Sequence, residues 1–165
     1  MRGITMALTE KIVNLPLNLR NLNMGRILAI DYGQKRSGIA VTDPSQLIAN
    51  GLETVASKDL LSYIQSYMLK EQVDCIVVGE PKDMQNTASD ASRFVDPFVR
   101  RLKALFPEQQ IERYDERFTS KMAFQSMIDA GLSKKKRQNK ALIDTISATI
   151  MLQSYMEFIK NKKFN

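Results

Sequence analysis

From Gly25 onward the apolar positions fall into short solid runs and longer helical stripes. Ile27-Leu28-Ala29-Ile30 is a compact apolar run rich in strand formers, and it stops at a carboxylate, Asp31. A polar turn follows, carrying Gly33, Lys35, Arg36 and Gly38, and a second run, Ile39-Ala40-Val41, leads to Thr42, Asp43 and Pro44. Two such runs joined by a short Gly-bearing stretch predict an antiparallel hairpin. Gly51 to Val55 reads as a third strand. Ser57 is a candidate cap for a helix starting near Lys58, in which Leu60, Leu61, Ile64, Tyr67 and Met68 recur at helical spacing. Val73 to Gly79 is a buried-type strand after a helix, which predicts a parallel crossover.

Lys82 to Thr87 is polar and loop-like. Ala88 to Phe106 predicts a helix with Phe94, Phe98, Leu102 and Leu105 on one face, kinked or broken at Pro97. Gln110 to Tyr114 is another strand. Thr119 to Ala130 predicts a helix capped by Thr119 or Ser120 and stopped by Gly131. Ser133 to Lys140 reads as a basic loop. Ala141 to Phe158 is the last helix, with Leu142, Ile143, Ile146, Ile150, Leu152 and Tyr155 as its apolar contacts, and a basic tail follows. The order is three strands, helix, strand, helix, strand, two helices, an α/β layer fold with a mixed sheet. Residues 1–24, polar and Asn-rich, are expected to be a flexible extension, with Met24 a candidate translation start. Residues 25–160 form the single expected domain and 161–165 a tail.

Composition narrows the chemistry. At 165 residues and 44% hydrophobic, the chain suits one domain with an ordinary core. Its apolar runs are far shorter than a membrane span, and Met1 to Arg20 lacks a signal-peptide pattern, so a cytoplasmic protein with no membrane partner is expected. The single cysteine, Cys75, sits inside a strand run and reads as a small buried residue. There is no histidine, which excludes Ser-His-Asp and Cys-His catalysis and histidine-ligated zinc. Hydrolysis here must use carboxylates, lysine, tyrosine, a hydroxyl or an oxygen-ligated metal. The net charge of +6 leans toward a polyanionic partner, against the plainer reading of a merely basic surface.

In open α/β sheets, sites gather at the carboxyl ends of strands. Asp31 ends the first strand, Glu116 follows the last, and Asp144 lies near the start of the last helix among apolar neighbours. If these three acids converge, they form an oxygen-ligand site suited to Mg²⁺ or Mn²⁺ and to phosphodiester hydrolysis. Each has a plainer alternative. Asp31 could serve the turn, Glu116 could pair with Arg117 or Arg113, and Asp144 could favour the positive end of its helix. Spacing alone does not bring them together.

The stretch Gly25 to Pro44, read as GRILAIDYGQKRSGIAVTDP, resembles the opening motif of the YqgF family, Holliday-junction-resolvase-like proteins provisionally described as pre-16S rRNA nucleases. The similarity extends to Val77-Val78-Gly79-Glu80-Pro81, to Asp115-Glu116-Arg117-Phe118-Thr119-Ser120 and to Lys140 through Leu152, and covers nearly everything from Met24 to about Phe158. The resemblance implies an RNase H-like fold: a five-stranded mixed sheet, its first three strands antiparallel, with helices on both faces. It implies that Asp31, Glu116 and Asp144 are catalytic, metal-binding acids holding Mg²⁺ or Mn²⁺. It also implies a role in maturing the 5′ end of the small-subunit rRNA precursor, in a monomer or homodimer. Glu80 and Lys82 depart from an apolar pattern common in the family, and Ser147 stands where an alanine pair is common.

Arg36 and Arg117 are candidate phosphate contacts, with a surface or ion-pairing role as the competing reading. Lys134, Lys135, Lys136, Arg137 and Lys140 form the densest positive run and directly precede the helix of Asp144. Few aromatics interleave it, so tracking of a nucleic-acid backbone is expected rather than base stacking. Structured RNA is the leading partner and branched DNA the alternative. Two other readings compete with a nuclease. One is a non-catalytic RNA-binding assembly factor. The other is a phosphate-binding ATPase, since Asp31-Tyr32-Gly33 also resembles the first phosphate loop of actin and sugar kinases, which normally need two such domains.

Overall fold

The first strand, β1 (Arg26–Asp31), is buried along Ile27 to Ile30, which is why it reads as an unbroken apolar run rather than an alternation. The computed structural model describes residues 24–80, 92–115 and 119–163. β1 pairs antiparallel with β2 (Arg36–Thr42), and β2 pairs antiparallel with β3 (Ala49–Ala56). The chain then forms α1 (Leu60–Met68), β4 (Val73–Glu80), α2 (Ser92–Leu105), β5 (Gln110–Asp115), α3 (Thr119–Asp129), α4 (Lys134–Arg137) and α5 (Lys140–Lys163). β4 runs parallel to β1, and β5 parallel to β4, giving the sheet order β3-β2-β1-β4-β5. The mixed five-stranded sheet and its antiparallel first three strands match the expected architecture.

Strand alternation sorts the core into two layers. Leu28, Ile30, Ile39, Ile76 and Val78 point to one face, where Leu60 and Ile64 of α1 and Val95, Phe98, Val99 and Leu102 of α2 cover them. Ile27, Ala29, Ala40, Cys75 and Val77 point to the other, against Ala148, Met151, Leu152 and Tyr155 of α5. The small alanines on this side let the long helix lie close to the sheet.

Several local expectations change. Ser57 does not cap a helix. α1 is preceded by Asp59, which makes no side-chain cap, and the Ser57 hydroxyl instead donates to the Gly33 carbonyl at 2.6 Å. α2 runs through Pro97 without a break. Pro97 lies on the exposed side, and burial of Val95, Phe98, Val99 and Leu102 offsets the one backbone bond it cannot donate. Phe98 and Leu102 of the expected stripe are buried, but Val95 and Val99 take the places expected for Phe94 and Leu105, which are exposed. α3 does stop at Gly131, which takes a φ of +69° while Leu132 N–H returns to the Met127 carbonyl at 3.0 Å. The stretch after Ser133 is not all loop: Lys134–Arg137 forms one helical turn whose Lys136 N–H bonds the Ser133 hydroxyl. The last helix begins at Lys140 and continues to Lys163, past the expected end. Its most buried residues include Ala148 and Met151, which helical spacing of large apolar residues did not single out. The expected N-terminal extension, the loop from Lys82 to Thr87 and the expected helix start at Ala88 lie outside the described residues.

Candidate active site

Because β1, β4 and β5 are parallel, their carboxyl ends share one edge of the sheet. Asp31 ends β1, and Glu80 and Asp115 are register partners at the ends of β4 and β5. Alternation carries Asp31 to the same face as Ile27 and Ala29, the face covered by α5. Asp31 is in register with Gly38, and Gly38 with Thr54, so one row crosses β1, β2 and β3.

This row positions the start of α5. A methyl group at Gly38 would collide with the Asp144 carbonyl, so the backbones of β2 and α5 meet there. One strand further out, the Thr54 hydroxyl donates to the Ala141 carbonyl at 2.7 Å and lies 2.8 Å from the Thr145 hydroxyl. Gly51 is crowded by the side chains of Thr145 and Thr149. Asn139 caps the helix, its Oδ1 accepting from Leu142 N–H at 3.3 Å. Asp144 is thereby held over the end of the sheet next to the partner of Asp31.

Arg36, at the start of β2, donates through Nε to Asp144 Oδ2. Of the two readings open for Arg36, ion pairing is the one the structure contains. The side chains remain 38% and 25% exposed, so solvent reaches the pair. The turn between β1 and β2 is fixed from the side: Ser57 N–H bonds the Lys35 carbonyl at 3.1 Å, and the Ser57 hydroxyl lies 2.9 Å from that of Ser37. Ser57 and Thr54 are therefore supports of the site that sequence reasoning did not find. A threonine in an exposed edge strand, or a serine in the turn just after it, carries no periodic signal.

Glu116 and Arg117 lie outside the described residues, directly after the end of β5. Among the described residues no three acids, cysteines or histidines gather as a metal cluster. Two of the three expected acids are nonetheless brought to one edge and one face. Asp144 already accepts a cationic donor, and the donor set is oxygen only, which fits a hard divalent cation. Arg113, weighed as a partner of Glu116, bonds Asp96 Oδ1 of α2 at 2.8 Å.

The positive run directly precedes the helix that carries Asp144. Lys134, Lys135 and Lys136 are exposed on α4, Lys140 is exposed at the start of α5, and Arg137 is half-buried against the Phe124 ring. Cys75 is buried, as expected, and burial pushes its thiol up to about 11, so it stays neutral. Tyr155 is likewise raised, by burial and by the bond it donates to Glu112 Oε2 at 2.7 Å.

The family model for RuvX, described as Holliday junction resolvase, matches residues 25–158. The chain belongs to the RuvX family. The RuvX match leaves residues 1–24 outside it and bears out the resemblance drawn from the motifs. A Flavobacterium psychrophilum protein is 58% identical over 133 residues, covering 81% of this chain and 97% of its own length. A Bacteroides thetaiotaomicron protein is 58% identical over 134 residues, again covering 81% and 97%. Both are provisionally named pre-16S rRNA nucleases. The RuvC protein of T. thermophilus, solved with a Holliday junction substrate, matches at a TM-score of 0.51 and 14% identity, covering 82% of this chain and 96% of that one. That likeness shows the resolvase fold. Membership of RuvX places the chain among the resolvase-like nucleases, which are hydrolases. No helix among the described residues is long and apolar enough to cross a membrane.

Proposed function

We propose that this RuvX protein is a divalent-metal-dependent nuclease of the cytoplasm that trims the 5′ end of the 16S rRNA precursor. What carries the reading is the row Asp31–Gly38–Thr54, which seats the Asp144 turn of α5 against the strand beside Asp31. Support for the substrate comes from the names of the 58% identical relatives.

Asp31, Asp144 and Glu116 would hold Mg²⁺ or Mn²⁺ through carboxylate oxygens. A bound divalent cation supplies charge to the scissile phosphate and lowers the pKa of a water that attacks it. A cation held by Asp144 would compete with Arg36 for its carboxylate. A guanidinium displaced in that way would be free to hold a phosphate oxygen. Arg117, Lys134, Lys135, Lys136, Arg137 and Lys140 would hold the flanking phosphates and set the register of the strand. The protein would act as a monomer or homodimer.

The family description favours a second substrate, a four-way DNA junction. The test offers a precursor rRNA fragment and such a junction side by side with Mg²⁺ or Mn²⁺. Wild type is expected to cut the precursor, and Asp31→Asn to lose cleavage while its circular dichroism and melting stay native. Junction cleavage with the precursor untouched would replace the substrate. Full activity in Asp31→Asn would refute the mechanism, and tight RNA binding without cleavage would favour an assembly factor.

A further inference from the structure

The basic run is not without an aromatic once the chain is folded. Lys121, Phe124 and Ile128 share one exposed face of α3, with Phe124 and Ile128 43% and 40% exposed, while Ala123 and Met127 are buried against the rest of the protein. The turn at Gly131 sends the chain back so that α4 passes this face. The Arg137 guanidinium carbon lies 5.9 Å from the centre of the Phe124 ring, and Arg137 Nε is buried with no hydrogen-bond partner among the described residues. Lys134, Lys135 and Lys136 stand exposed on the same short helix.

An aromatic ring left half in water beside a guanidinium, and rimmed by lysines, suits a partner with a flat apolar surface and negative charge. A nucleobase with its phosphate has both. A second copy of this chain would set lysine and arginine against lysine and arginine. We propose that Phe124, flanked by Arg137 and Lys121, is a stacking platform for an unpaired base of a single-stranded nucleic acid whose phosphates run along Lys134, Lys135 and Lys136. The platform rests on the nucleic-acid reading above and sharpens it. Bases in a duplex are already stacked on each other, so the surface selects an unpaired tract and leads it toward the Asp144 end of α5. It replaces the expectation of backbone tracking alone.

The chain contains no tryptophan, so Phe124→Trp places its single tryptophan, which can be excited apart from the tyrosines, on the platform. The probe is a single-stranded oligoribonucleotide of about 12 nucleotides, a length within the span of common single-strand sites, in metal-free buffer. Stacking should quench the tryptophan, and an abasic strand of the same length should not. Phe124→Leu, at an exposed position, should fold normally, lose about tenfold in affinity for the single strand and bind the matching duplex as before. Binding without quenching, equal quenching by the abasic strand, or equal losses on single strand and duplex would overturn the platform and leave the nuclease reading standing. Failure of wild type to bind either form would remove both. A wild-type dimer that Phe124→Leu dissociates would overturn the platform in favour of self-association.

Discussion

The backbone of Gly38 in β2 touches the backbone of Asp144 in α5, and no side chain can stand between them. Since Gly38 is the register partner of Asp31, this single approach sets how near the two acids lie. Gly38→Ala should therefore do more than strain the core. Overpacking of this kind costs about 1–3 kcal/mol, and it would also lift the start of α5 from the sheet. Urea unfolding should show that loss, while metal-dependent cleavage at a temperature where the variant is fully folded should fall by at least tenfold. Native activity in a folded Gly38→Ala protein would separate Asp144 from the site.

Arg36 and Asp144 form a solvent-touched ion pair, and such pairs contribute about 0–1 kcal/mol to stability. Arg36→Gln should melt close to wild type. If the guanidinium and a cation compete for Asp144, the variant should bind Mn²⁺ up to about fivefold more tightly without substrate, as read by electron paramagnetic resonance. Cleavage should nevertheless fall, because the phosphate contact is lost. Unchanged or weaker Mn²⁺ binding would show that the pair does not compete.

Lys134, Lys135 and Lys136 are exposed on one turn of helix, and their side chains make no ion pair among the described residues. Replacing all three with glutamine should leave stability within about 0.5 kcal/mol. The dependence of log binding constant on log salt should flatten by about 0.7 for each lysine that touches a single-stranded phosphate. An unaltered slope would place the nucleic acid elsewhere.

The strands and helices were legible because each is a periodic pattern over several residues, and the motif order pointed to the family. The approach of the Asp144 backbone to the strand beside Asp31 was not legible, because it depends on a strand register and on the missing side chain of Gly38. Ser57 shows the limit of local rules. It has the residue type and place of a helix cap, yet its hydroxyl serves the Gly33 carbonyl across the sheet. Phe124 shows another. It lies outside the basic run in sequence and joins it only through the reversal at Gly131.

Asp43 closes the turn between β2 and β3. Its carboxylate accepts from Ile48 N–H at 2.7 Å, Leu47 N–H at 2.8 Å and Ser45 N–H at 3.0 Å, and these bonds, Ile48's first, hold its pKa below the ordinary carboxylate value. A depressed folded-state pKa means the ionised form favours folding. The contribution is whole above the unfolded value, near pH 4, and is lost as pH falls through the lower folded value. The wild type should therefore lose more stability between pH 6 and about pH 3 than Asp43→Asn does, measured by urea midpoints at each pH. Parallel losses in both proteins would show that the turn is indifferent to this charge.

Ser147 is fully buried in α5, and its hydroxyl has no hydrogen-bond partner among the described residues. Leaving a buried polar group unpaired costs about 1–3 kcal/mol, and alanine removes the hydroxyl while leaving a void smaller than a methyl group. Alanine is also the better helix former, by up to about 0.7 kcal/mol. Ser147→Ala should thus raise the unfolding free energy by about 1 kcal/mol with no change in the denaturant slope. The gain should come without a change in cleavage rate, because Ser147 packs under the helix while Asp144 lies nearly a turn earlier at its exposed start. A destabilised Ser147→Ala would show that the hydroxyl is bonded in solution.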